Sequence, residues 1–153
     1  MIGVTFKEVY TKFKLHYYRG IFGEVMERDG TLSAMEAFSV EIIYALGEPT
    51  IGEFAEYVGI SKPNATYKVN SLMKKGYITK IHSQTDKREY HLQMTPKFFD
   101  YYSINDKYIQ TVTKRIEKRF SKTEVRMLEQ MMTVISKELM PEEEMPLKGD
   151  RKE

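Results

Sequence analysis

Between Thr50 and Lys97 the chain reads TIGEFAEYVGISKPNATYKVNSLMKKGYITKIHSQTDKREYHLQMTPK, and its hydrophobic period changes from that of helices to that of strands. Ile51, Phe54, Ala55 and Val58 share one face of a short helix, for which Gly59 is a natural C-cap. Ser61 is placed to cap a second helix running from Lys62 to Lys75, with Pro63 in the first turn, where no amide hydrogen is needed, and Gly76 at the far end. After it, Tyr77 to His82 reads as a strand, and Tyr90, Leu92 and Met94 alternate with His91, Gln93 and Thr95 in another. The intervening Ser83 to Glu89 begins with turn-forming residues and carries Lys87 and Arg88 near its tip.

Two short helices joined by a tight turn and followed by a hairpin with a charged tip make a winged helix-turn-helix. That arrangement can offer one helix to a DNA major groove and a basic loop to the flanking backbone or minor groove. In the second helix Ala65, Val69, Leu72 and Met73 form the apolar side, leaving Lys62, Asn64, Thr66, Tyr67 and Asn70 for the other. Such side chains suit base edges and phosphates, although an ordinary solvated helix would show the same pattern. In the loop we expect Arg88 to insert and Lys87 to neutralise phosphate. DNA would repel the Asp86 carboxylate, so Asp86 is expected to hold Arg88 by a charge-assisted hydrogen bond.

Charge agrees in its distribution more than in its sum. The net charge is only +2. Between Pro49 and Pro96, however, Lys62, Lys68, Lys74, Lys75, Lys80, Lys87 and Arg88 face only Glu53, Glu56, Asp86 and Glu89, whereas acids outnumber bases from Glu138 onward.

Outside this segment the chain reads as helical. Ser/Thr-x-x-Glu capping boxes occur at Thr5/Glu8, Ser33/Glu36, Thr50/Glu53 and Ser121/Glu124, predicting helix starts near 6, 34, 51 and 122. The first helix carries Phe6, Val9, Tyr10, Phe13 and Tyr17, then Ile21, Phe22, Val25 and Met26, with a bend expected near Gly20 and Gly23. The second, from Ala34 to about Leu46, is apolar around so much of its circumference, Met35 and Phe38 included, that burial is expected. A long helix after Pro96 shows Tyr101, Ile104, Tyr108, Val112 and Ile116, and a last one shows Val125, Leu128, Met132, Ile135 and Leu139. These stripes exceed what one small winged lobe can cover, which favours burial between two chains over packing within one.

A length of 153 residues suits one compact domain. The absence of cysteine fits a reducing cytosol and excludes thiolate ligands, and no run approaches the length of a membrane span, so a soluble cytoplasmic protein is expected. Phosphate-binding glycine loops, H-E-x-x-H and G-x-S-x-G are absent, and no cofactor or enzymatic activity is expected. Histidines occur at 16, 82 and 91. His82 and His91 could approach each other across the hairpin, but a metal site would need further ligands and none is expected.

The segment from Leu32 to Thr95 resembles the MarR family of bacterial winged-helix transcriptional regulators. The diagnostic parts are the helix SKPNATYKVNSLMKKGYI and the wing DKRE followed by YHLQMT. The chain departs from the family pattern at Lys68, which stands where an apolar residue is usual and must snorkel at the core edge, and at Phe98-Phe99, which replace a small turn. The resemblance implies a mainly α fold with a small β-hairpin wing. Residues 33–96 would form the DNA-binding lobe, 1–30 and 97–140 the dimerisation helices, and 141–153 a charged, flexible tail. It also implies a homodimeric, sequence-specific regulator of double-stranded DNA, a repressor, recognising a pseudo-palindromic operator. Ser61, Lys62, Pro63, Asn64, Thr66, Tyr67, Lys68, Asn70, Lys87 and Arg88 are then the DNA-binding candidates. Tyr17, Tyr18, Tyr44, Tyr101 and Tyr102 are candidates for a small-molecule effector pocket, though core and dimer packing explain them as well. The alternative from another class is a winged-helix module that presents the same polar helix to a protein.

Overall fold

The computed structural model describes residues 1–25 and 31–143, apart from the side chains at 24, 25 and 103–105. The Val25 and Ile104 side chains, Met26, and the tail from 144 onward lie outside the described residues. The elements in chain order are α1 (Ile2–Val25), α2 (Ala34–Leu46), α3 (Ile51–Val58), α4 (Lys62–Lys74), β1 (Ile78–His82), β2 (Tyr90–Met94), α5 (Pro96–Arg119) and α6 (Lys122–Glu138). This is a mainly helical fold with one antiparallel hairpin.

Local chemistry fixes most of the boundaries. Ser33, Thr50 and Ser121 each accept a hydrogen bond from the amide three residues on, while Glu36, Glu53 and Glu124 reach back to the cap amides. Thr5/Glu8 does not behave this way. The amides of Val4 and Thr5 already donate to Met1 O, so α1 begins at Ile2, and Glu8 pairs instead with Lys12 at 2.6 Å. Gly59 ends α3 in the left-handed region at φ 74°, and Gly76 takes φ 81° between α4 and the hairpin, a conformation that would strain a side chain.

The core lies where α2, α3, α4, the hairpin and the start of α5 meet. Val40, Ile43, Phe54, Val69, Leu72 and Leu92 are fully buried there. The hairpin register pairs Ile78 with Met94 and His82 with Tyr90. The Leu92 amide donates to Pro49 O at 2.9 Å, tying β2 to the α2–α3 connection. Phe98 fills this core completely, its ring 5.0 Å from Tyr44 and 5.4 Å from Tyr102, whereas Phe99 is 45% exposed. The aromatic pair is therefore one plug and one surface residue.

One expectation for the helices needs correction. Burial of α2 is partial, because Met35 and Phe38 are exposed and only Ala37, Ser39, Val40 and Ile43 are buried. Among the described residues, α6 buries no side chain at all. Met127, Leu128, Met131, Met132 and Val134 stand open on α6, as do Ile2, Phe6, Val9 and Tyr10 on α1.

Candidate nucleic-acid interface

Helix α4 turns Ala65, Val69 and Leu72 into the core. The opposite line, spaced by four, three and four residues, is therefore Pro63, Tyr67, Asn70 and Lys74, all exposed. Tyr67 is 76% exposed. Asn64 and Lys62 are exposed beside this line, while Thr66 and Lys68 are half-buried at its flanks. Lys74 was not among the sequence candidates, although the same spacing places it there.

Two candidates are committed to local structure. The Ser61 hydroxyl accepts from the Asn64 amide at 3.3 Å, and the Thr66 hydroxyl donates to Lys62 O at 2.9 Å, so Thr66 can offer a ligand only its lone pairs. The capped helices α2, α3 and α6 carry glutamate in the first turn, but α4 carries no acid there. Its positive end is not offset by a carboxylate, which suits an approaching phosphate.

The wing is ordered by its own short side chains. Ser83 Oγ accepts from the Thr85 and Asp86 amides at 3.3 Å, and Ser83 N and Glu89 O close the loop at 2.9 Å. Asp86 Oδ1 accepts from the Arg88 main-chain amide at 2.9 Å. The brace is thus to the backbone, and among the described residues no ion pair engages the Arg88 guanidinium or the Lys87 ammonium. Both cations stand exposed at the tip.

The hairpin histidines diverge. His82 pairs with Tyr90 and packs against its ring at 4.3 Å, whereas His91 pairs with Ile81 on the other face. His91 Nδ1 lies 2.8 Å from Glu48 O, and since a carbonyl only accepts, that nitrogen carries a proton. Among the described residues, no group of three or more metal-ligating side chains forms.

Lys75, counted with the basic set in the sequence, is turned inward. Its ammonium donates to Glu36 Oε2 at 2.6 Å and to Thr31 O at 2.8 Å, while Ser71 Oγ donates to Glu36 Oε1 at 2.5 Å. The end of α4 is thereby clamped to the start of α2. Burial alone would raise the Glu36 carboxyl, but hydrogen bonds from Lys75, Ser71 and the Ser33 amide outweigh it and hold the group down to about 2. A depressed carboxyl stabilises the fold above its ordinary range near 4.5, and that contribution is lost as pH falls toward 2. Glu36→Gln should therefore cost roughly 2 kcal/mol at neutral pH and flatten acid unfolding between about pH 4.5 and 2, measured by urea titration at several pH values. An unchanged acid limb would refute the clamp.

The five tyrosines offered as pocket residues are neighbours, with Tyr17 and Tyr18 6.1 Å apart and Tyr44 and Tyr102 4.7 Å apart between ring centroids, but they do not all line one cleft. Tyr17, Tyr18 and Tyr102 line a cleft of about 530 Å³ between α1, α2 and α5. Tyr44 faces a smaller depression beside Glu48, Leu92 and Phe99. Tyr101 sits behind the cleft, its hydroxyl 3.4 Å from Glu41 Oε1.

Comparison with known proteins agrees with this geometry. A sequence model of the MarR family matches residues 32–90, which run from the start of α2 through the wing. No curated protein sequence matches the chain significantly. Among solved structures, the transcriptional regulator Tm0710 from Thermotoga maritima superposes with a TM-score of 0.63 at 20% identity, covering 88% of this chain and 94% of that one. FabT from Streptococcus pneumoniae in complex with DNA gives 0.52 at 19% identity, covering 88% and 96%. A mutant of MepR from S. aureus bound to an oligodeoxyribonucleotide gives 0.54 at 11% identity, covering 91% and 98%. At such identities the likeness is one of fold. The helix-turn-helix and wing of this chain are thus similar to those of the MarR family over residues 32–90, and the chain as a whole shares its fold with these structures. Among the described residues no helix is long and apolar enough to cross a membrane.

Proposed function

We propose that the protein is a homodimeric, sequence-specific reader of double-stranded DNA that represses transcription by occluding a promoter. The observation that carries this reading is the open line Pro63, Tyr67, Asn70 and Lys74 on α4 beside a wing whose Lys87 and Arg88 are both exposed. Asn64, Thr66 and Tyr67 would read base edges in the major groove, and Lys62 and Lys68 would hold backbone phosphates. Arg88 would enter the minor groove, with Asp86 fixing the loop that presents it. Two structures of the same fold contain bound nucleic acid, which supports the reading by analogy. In the same reading, residues 33–96 form the DNA-binding lobe and segments 1–30 and 97–140 join two copies. The exposed apolar faces of α1 and α6 supply a surface for that dimer. The cleft between α1, α2 and α5 is the place for a small-molecule effector.

Binding of a promoter duplex measured across a range of salt tests the assignment. Arg88→Ala should lower affinity about tenfold or more, and Lys87→Ala should reduce the slope of log affinity against log salt by about one. If neither substitution changes affinity or slope, the wing assignment is wrong. If no duplex binds above non-specific affinity, a protein-binding role for α4 takes its place.

A further inference from the structure

From Gln84 to Tyr90 every residue of the wing is exposed, and His91 is the first half-buried residue of β2 behind the tip. Its imidazole spans two parts of the molecule. Nδ1 donates to Glu48 O at 2.8 Å, in the connection between α2 and α3, while Nε2 lies 3.6 Å from Glu89 Oε2 at the end of the wing loop. We propose that His91 is a positioning residue for DNA binding, which fixes the wing at one angle to α4 by holding β2 to the Glu48 turn. The proposal rests on the reading in which Lys87 and Arg88 contact DNA.

The anchor is a strained one. Gly47 and Glu48 are consecutive left-handed residues, at φ 69° and 57°, a conformation that the glutamate side chain makes costly. Such a turn keeps its shape only where its surroundings hold it. Three successive residues of β2 do so: His91 donates to Glu48 O, the Leu92 amide donates to Pro49 O at 2.9 Å, and Gln93 Nε2 donates to Glu48 Oε1 at 3.5 Å. The Leu92 bond is made by the main chain of a fully buried residue, and the Gln93 contact is exposed and at the limit of hydrogen-bond length. His91 is the side-chain tie nearest the tip.

Both DNA-facing elements are mounted on α2. Its first turn holds α4 through Glu36 with Lys75 and Ser71, and the turn at its end holds the wing through Glu48. The 13 residues of α2 form a bar about 20 Å long between the two attachments. Slack at the wing attachment is magnified at the tip. Arg88 stands about 10 Å of chain beyond His91, so a tilt of about 10° there displaces it by about 2 Å. Directed contacts need placement to within about 0.5 Å.

Because the chain has no cysteine, nitroxide labels at Gln84→Cys in the wing and Lys74→Cys at the end of α4 report one distance by pulsed electron resonance. The sample is full-length protein diluted with unlabelled protein. His91→Leu should broaden the distance distribution about twofold, and His91→Asn, whose amide nitrogen stands as many bonds from the backbone as Nδ1, should restore it. His91→Ala is carried in parallel and keeps the test decisive if circular dichroism shows His91→Leu unfolded.

Titration of a duplex that the native protein recovers from a random pool supplies the functional arm. His91→Leu should lower affinity about fivefold and His91→Asn should return it to within about twofold, whereas in a Lys87→Ala, Arg88→Ala background His91→Leu should matter less than about twofold. A general loss of structure would repeat the fivefold effect in both backgrounds. An unchanged distance distribution in His91→Leu, no recovery in His91→Asn, or equal losses in the two backgrounds would overturn the proposal. If no duplex is recovered, or if Lys87→Ala and Arg88→Ala leave affinity unchanged, the DNA-contact reading of the wing has failed, and the label distances still decide whether His91 fixes the wing.

Discussion

Replacing Phe98 with alanine is expected to destabilise the protein by about 3–5 kcal/mol, the range for removing a fully enclosed phenylalanine side chain whose surroundings cannot collapse onto the void. Phe98 is 0% exposed and its ring meets Tyr44, Phe99, Tyr101 and Tyr102, so four rings lose a packing partner at once. Its position in the first turn of α5 adds a further consequence. It is where the long C-terminal helix is seated on the winged lobe, so the variant should loosen the relation between the two parts as well as the core. In urea titration the midpoint should fall while the slope stays constant, and thermal unfolding should occur about 10 °C lower. Phe99→Ala is the internal control. That ring is largely open, and its removal should cost under about 1 kcal/mol. Similar losses for the two variants would contradict the plug-and-surface assignment of the pair.

The second large effect is expected at the exposed face of α6. Leu128 and Met132 are 40% and 54% exposed, Leu128 lining a shallow depression with Ile116 and Phe120 at the end of α5. Introducing glutamate at both should leave monomer stability nearly intact, since little is buried there within one chain, yet place charges at the centre of the proposed two-fold interface. Sedimentation should show a dimer for the native protein and a monomer for the variant. Duplex affinity should fall by about a hundredfold or more, because two lobes that were held together would then bind independently. A variant that still sediments as a dimer would move the interface elsewhere, and a native monomer would remove it.

The parts of this fold that could be read from sequence are those decided within a few residues. Ser33, Thr50 and Ser121 cap as their spacing to glutamate requires, and Gly59 and Pro63 mark their helix ends because backbone geometry leaves little alternative. Thr5 misled for an equally local reason: the helix had already started at Met1 and Ile2, and a capping pattern inside a running helix has no cap to make. The hairpin was legible from its alternation, with β1 starting one residue later than expected.

What escaped was decided by residues distant in sequence. Lys75 reads as one more surface base until folding brings Glu36 and Thr31 to it across a helix pair. Met35 and Phe38 look like core by type and spacing, but α2 buries only one side in this chain, and Phe38 instead forms a cleft wall with α1 and α5. The tyrosines of the expected pocket were sorted by packing that no local signal reports. Tyr44 packs in the Phe98 cluster, Tyr102 joins that cluster and also lines the cleft, and Tyr17 lines the cleft from α1. Lys74 is legible in the sequence, since Pro63, Tyr67, Asn70 and Lys74 follow the helical repeat.

In the proposed function, α4 and the wing of two copies together read a DNA sequence. Selection of bound duplexes from a random pool by the native protein tests it most directly. A two-fold symmetric consensus whose half-sites lie about 10 base pairs apart, centre to centre, should be enriched, and the enrichment should be lost on combining Tyr67→Ala with Arg88→Ala. Recovery of no sequence above the starting pool, or of a consensus that persists in the double variant, would contradict it.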